Sequence, residues 1–104
     1  MTIQKIYNLL PSSDHPVESI IHENYCFKVS LIGFKNGMML REKKVDKPTK
    51  ITVLNGSVKY FELDKKVTLQ QYDEYEIPAE VTHYIVAEDN SLCLLTQDRL
   101  FQDN

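Results

Sequence analysis

Ile51-Thr52-Val53-Leu54-Asn55-Gly56-Ser57-Val58-Lys59-Tyr60-Phe61 is the stretch whose reading decides the fold. β-Branched and aromatic residues flank Asn55-Gly56, a pair that tolerates the positive φ angles of a two-residue type I′ turn. Read as a hairpin, the segment pairs Leu54 with Ser57, Val53 with Val58, Ile51 with Tyr60 and Thr49 with Glu62. Residues opposed across an antiparallel pair share a face. One face then carries Thr49, Ile51, Val53, Val58, Tyr60 and Glu62, and the other Lys50, Thr52, Leu54, Ser57, Lys59 and Phe61. The first face is apolar beside the turn and polar at its far end, where the mouth of a closed barrel is expected.

The same alternation continues outward. Val81, His83, Ile85 and Ala87 form one row, so His83 shares a face with apolar neighbours and is expected to point inward. Phe27, Val29, Leu31 and Gly33 form another, and Leu92, Leu94 and Thr96 a third. Turn residues recur at short intervals, at Pro11-Ser12-Ser13-Asp14, Lys35-Asn36-Gly37, Asp46-Lys47-Pro48, Asp64-Lys65, Asp73-Glu74 and Glu88-Asp89-Asn90. Roughly nine or ten short strands result, enough to close a sandwich or barrel. No stretch sustains an apolar period of 3.6 over several turns, so helix is expected only as a turn near the N-terminus.

The 104 residues suit one domain with a single core. A net charge of −3 supplies no broad basic face, so nucleic acid is not an expected partner. The basic run Arg41-Glu42-Lys43-Lys44, continued by Lys47 and Lys50, reads as a solvated strand edge. The opening residues carry no apolar signal core, and no apolar run reaches membrane-spanning length. No membrane association and a cytoplasmic location are therefore expected. Cys26 and Cys93 lack the spacing of a zinc or redox pair and read as small buried hydrophobes.

Two motifs add a resemblance. Gly37, Lys43, Val45, Thr49 and Gly56 keep the spacing of the first motif of the small single-domain cupins, and Pro78 and His83 that of the second. Val53-Leu54-Asn55-Gly56-Ser57-Val58 resembles the hairpin that ends the first motif. Tyr72-Asp73-Glu74-Tyr75-Glu76-Ile77-Pro78 leading to His83 resembles the second, with Tyr72 where the family has glycine. The resemblance implies an all-β jelly-roll barrel, a double-stranded β-helix, as one domain over 1–104. Its motif region runs over about 29–97, with an N-terminal strand extension over 1–24. In metal-binding members the positions matching 43, 45 and 49 are His, His and Glu or a third His, and the fourth ligand matches His83. Here they are an ammonium, an isopropyl group, a hydroxyl and one imidazole. First-row metals want three or four converging N, O or S ligands. No metal and no cofactor are expected, and the metal-dependent activities of the family do not carry over.

The candidate ligand-binding residues are Lys43, Thr49, Tyr60, Glu62 and His83, the polar lining of the expected mouth. A cationic lysine in an apolar cup favours a small anionic or hydroxylated ligand. Glu62 is the expected partner for an inward Lys43. A second reading is a metal-independent isomerase or epimerase of a sugar or small acid, with His83 as base and Tyr60 as acid. A third is a structural or partner-binding domain whose barrel its own side chains fill. Apolar Ile3, Ile6 and Leu9, with no evident partner strand of their own, point to a homodimer.

Overall fold

Short alternating segments separated by turn residues build two antiparallel sheets that face each other. The computed structural model describes residues 2–99, the side chains of Glu42 and Lys43 excepted. Helix α1 (Thr2–Leu9) and a 3-10 turn (Leu10–Ser12) precede nine strands. These are β1 (Val17–Glu23), β2 (Phe27–Phe34), β3 (Met39–Lys43), β4 (Thr49–Asn55), β5 (Ser57–Glu62), β6 (Lys65–Gln70), β7 (Glu74–Ile77), β8 (His83–Ala87) and β9 (Ser91–Asp98). One sheet has the order β1-β2-β9-β4-β7 and the other β3-β8-β5-β6. The architecture is the all-β jelly roll expected from the sequence. Ile32, Phe34, Ile51, Val53, Val58, Tyr60, Ile85 and Cys93 fill the space between the sheets. The basic run falls on and after β3, an edge strand, where charge discourages pairing with another chain.

The Asn55-Gly56 turn corrects one expectation and upholds another. β4 and β5 do not pair: β4 lies between β9 and β7, and β5 between β8 and β6. Only Gly56 of the two residues has positive φ, at +91°, so the type I′ hairpin is replaced by a corner where the chain passes from one sheet to the other. The inward face is nevertheless the one read from the sequence, because alternation continues through the corner. Thr49, Ile51, Val53, Val58, Tyr60 and Glu62 are all buried. The corner is packed against the turn before β9. A side chain at position 56 would start 2.8 Å from the Ser91 Cα and closer still to the Asn90 carbonyl. The Ser91 hydroxyl accepts from the Ser57 amide at 3.0 Å, tying the two segments together.

On the outer face of the five-stranded sheet, Leu31 lies opposite Leu94, and Gly33 opposite Leu92. Helix α1 covers this strip, and Ile6, Leu31 and Leu92 form a second buried cluster. The expected N-terminal strand extension is thus half right: residues 17–23 are a strand, but 2–9 are a helix. Ile3, Ile6 and Leu10 recur at helical spacing, yet over only two turns, too short a run for periodicity to register. Gly33 sets the depth of docking, since a Cβ there would lie 2.5 Å from Ile6 Cγ2. Of the two cysteines, Cys93 is buried in the barrel core, whereas Cys26 is exposed, contrary to expectation. Burial pushes the Cys93 thiol up to about 12. Cys26 lies in the β1–β2 turn, where Asn24 Oδ1 accepts from the amides of Cys26 and Phe27 and the side chain faces solvent.

Tyr72 stands where the resembled motif has glycine, and the backbone shows why glycine suits that position. Its φ is +73°, in the left-handed region, and its side chain is exposed. The turn is held by Asp73, whose amide donates to Gln70 O and whose carboxylate accepts from the Gln70 amide, both at 2.9 Å.

Two outcomes test these turns. Gly56→Val should lower stability by about 1–2 kcal/mol or more, from left-handed strain and from collision with the Asn90-Ser91 backbone; an unchanged thermal midpoint would refute the corner. Tyr72→Gly should raise stability by about 0.5–1 kcal/mol, because it relieves left-handed strain without removing buried surface; chemical denaturation gives the sign directly.

Candidate functional site at the barrel mouth

The polar end of the inward face lies at one end of the barrel, as the alternation required. In the four-stranded sheet, Lys43 is in register with His83, and His83 with Glu62. Three of the candidate positions therefore form one cross-strand row. The side chain of Lys43 lies outside the described residues. Thr49 enters from β4 in the facing sheet, buried, and its hydroxyl donates to Lys47 O at 3.2 Å.

Two cavities open here. The first, about 280 Å³, is lined by apolar Leu40, Val45, Ile77, Ile85 and Leu95 and by polar Glu18, Lys28, Ser30, Lys44, Asp46, Thr49, His83 and Gln97. Neither Lys28 nor Lys44 is in an ion pair among the described residues. The second, about 590 Å³, is lined by Glu62, Lys65, Tyr75, Glu76 and Asp98 among others, and it shares Thr49 and Ile77 with the first.

His83 is buried, with Nδ1 3.5 Å from the Val81 carbonyl oxygen, and its ring stacks on Tyr60 at a centroid distance of 5.5 Å. Tyr60 is fully buried, and its hydroxyl donates to Glu62 Oε1 at 2.7 Å. Tyr75 donates to the same oxygen at 3.1 Å. Burial, and then the hydrogen bond to Glu62, push the Tyr60 phenol far above its ordinary pKa. Tyr60 is thus a neutral donor whose proton is committed to Glu62. It lines neither cavity, so the structure does not bring it to a bound molecule as an acid.

Glu18, Lys28, Lys44, Asp46, Gln97 and Tyr75 line these cavities and were not singled out by sequence reasoning. Lys28 and Gln97 are neighbours only through the β2–β9 pairing. A signal existed for Lys28: it has the same parity in β2 as the buried Ser30, Ile32 and Phe34. Tyr75 likewise shares parity with the buried Ile77 in β7. Glu74 and Glu76 are exposed, Glu74 paired with Lys50 at 3.3 Å.

Comparison with solved structures decides the fold. A cupin superfamily protein from Desulfitobacterium hafniense superimposes with a TM-score of 0.77 at 20% identity, over 83% of this chain and 79% of its own. The chain folds as a cupin. A cupin-2 domain protein from Shewanella frigidimarina matches over 95% of this chain and 94% of its own, at 19% identity and a TM-score of 0.75. KdgF from Halomonas sp. matches over 86% and 84%, at 16% identity and a TM-score of 0.76. Likeness at these identities establishes the cupin fold alone. No protein-family model matches the chain, and neither does any curated protein.

A cupin metal centre does not fit these residues. Val45 packs an isopropyl group against the core, and the Thr49 hydroxyl is spent on a backbone carbonyl. Glu62 lies beside His83 but holds two phenols on Oε1. Among the described residues, no three of His, Cys, Asp and Glu gather at one point.

Proposed function

We propose that this protein is a metal-free cupin barrel that binds a small anionic or hydroxylated molecule in its mouth. The observation that carries this reading is the 280 Å³ cavity, where Lys28, Lys44 and His83 line an apolar cup. Glu18 and Asp46 line it too, but Glu18 is engaged by the Ser30 hydroxyl and neither lysine is in an ion pair among the described residues. A few polar groups around an apolar cup is the usual composition of a small-ligand site. Lys43, opposite His83 in register, adds a third cation by position. A filled barrel would leave no such space. The isomerase reading is less well supported, because Tyr60 is sequestered by Glu62.

Thermal shift and calorimetry with small carboxylates test the proposal. Lys28→Met and Lys43→Met should each weaken binding about tenfold to a hundredfold, the worth of a charge-assisted hydrogen bond. Lys66→Met, at an exposed position outside both cavities, should not. Chelator-treated protein should bind as well as untreated protein. Equal binding by all three variants would end the anion-binding reading.

We also propose that a second copy of this chain pairs along the β1 edge. β1 is an edge strand, and Ile20 and Ile21 on it are exposed, as are Ile3, Tyr7 and Leu9 of α1. In an antiparallel β1–β1 pairing centred on Ile20, Glu18 would oppose His22, a complementary pair. Light scattering at micromolar concentration should give about twice the 12.1 kDa chain mass, and Ile20→Lys should return the monomer. A monomeric parent protein would end the idea. Deleting residues 1–10 is not a clean test, since Ile6 and Leu10 are buried.

A further inference from the structure

Glu62 is the one buried carboxylate among the described residues, 9% exposed. Its Oε1 accepts from both Tyr60 and Tyr75. Its Oε2 takes no hydrogen bond from any described residue. Yet no buried polar side-chain atom among the described residues is left without a partner. Oε2 therefore opens on the second cavity, which Glu62 lines.

Each phenol has spent its only proton on Oε1. Glu62 and Tyr75 themselves therefore offer the cavity only acceptors, Oε2 and what the Tyr75 hydroxyl has left beside its contact with Lys65, the ammonium donor on the same wall. Such a corner recognises a donor, either an ammonium or a hydroxyl. Charge chooses between them. Lys65 is the register partner of Glu62, and its Nζ lies 5.8 Å from the centre of the Tyr75 ring. The negative charge of Glu62 already has an ammonium beside it, and a second would be repelled. A hydroxyl meets no such opposition.

We propose that the Glu62–Tyr75 corner is the second half of the ligand site and takes a hydroxyl of a ligand whose anionic group sits beside His83. This rests on the anion-binding reading of the first cavity. Glu62 and His83 are directly opposed across β5 and β8, a Cα separation of about 5 Å in an antiparallel pair. The shared Thr49 and Ile77 make the two cavities adjoining lobes. The ligand class is a hydroxylated acid whose hydroxyl is several atoms removed from its carboxylate.

Three six-carbon acids identical but for the far end test this: hexanoate, 6-hydroxyhexanoate and 6-aminohexanoate, titrated calorimetrically into the full chain. The hydroxy acid should bind about tenfold more tightly than hexanoate, and the amino acid no more tightly than hexanoate. Glu62→Gln turns one acceptor into an amide donor; it should abolish the preference, read as the ratio of the affinities of the hydroxy acid and hexanoate within the variant. Should Glu62→Gln fail to fold by circular dichroism, Tyr75→Phe replaces it, and the preference should shrink because one acceptor is lost. Equal binding of hexanoate and the hydroxy acid overturns the proposal while leaving the anion site standing. So does a preference for the amino acid, or one for the hydroxy acid that is undiminished in the variant. If none of the three acids binds, the reading of the first cavity falls, and this one with it.

Discussion

The barrel depends on the corner at Gly56. Two consecutive strands must enter opposite sheets while keeping their alternate residues on the enclosed side. That demands a sharp turn in the left-handed region, with the Asn90-Ser91 backbone pressed against it. A residue lacking Cβ satisfies both conditions at once. From this point β4 delivers Thr49, Ile51 and Val53 to one wall, and β5 delivers Val58, Tyr60 and Glu62 to the other. Everything at the mouth is placed by counting in twos from that corner.

Counting in twos also explains why a carboxylate ends up inside. Glu62 lies two residues past Tyr60 on the inward parity, and the ladder gives it no alternative face. A buried carboxylate is costly unless hydrogen-bonded. The two tyrosines meet this cost, and their rings, 4.6 Å apart, also close the core beneath it. His83 stacks on the far side of Tyr60, so core and mouth are continuous through one aromatic layer. The cluster shapes the site by fixing which groups donate and which accept.

Strand parity was legible in the chain, and strand order was not. Alternation placed Tyr60, Glu62 and His83 inward correctly because it depends only on local geometry. Asn55-Gly56 was misread because its dipeptide chemistry suits a hairpin, while the sheet switch is decided by β9, which inserts beside β4 from some forty residues away. The neighbours that complete the mouth, Lys28 and Gln97, depend on the same long-range order. Helix α1 was legible only as a turn near the N-terminus because its apolar stripe spans two turns and docks over the Gly33 notch, which only the sheet pairing supplies. Tyr72 is the opposite case: the family pattern flagged its position, and the positive φ there gives the reason.

The docking of α1 separates the stability of the molecule into two grades. The barrel is closed by ladders on nearly every strand, whereas α1 rests on the sheet through Ile6, with Leu10 of the following 3-10 turn beside it and the other apolar side chains of α1 partly exposed. An eight-residue helix has little stability of its own. Its lifting is thus a local opening that leaves the ladders intact, and the α1 amides should exchange with solvent well before those of β4 and β9. Each such opening bares the strip of Leu31, Leu92 and Leu94 without unfolding the barrel. The chain thereby carries a transient sticky face on the side of the sheet opposite the barrel interior.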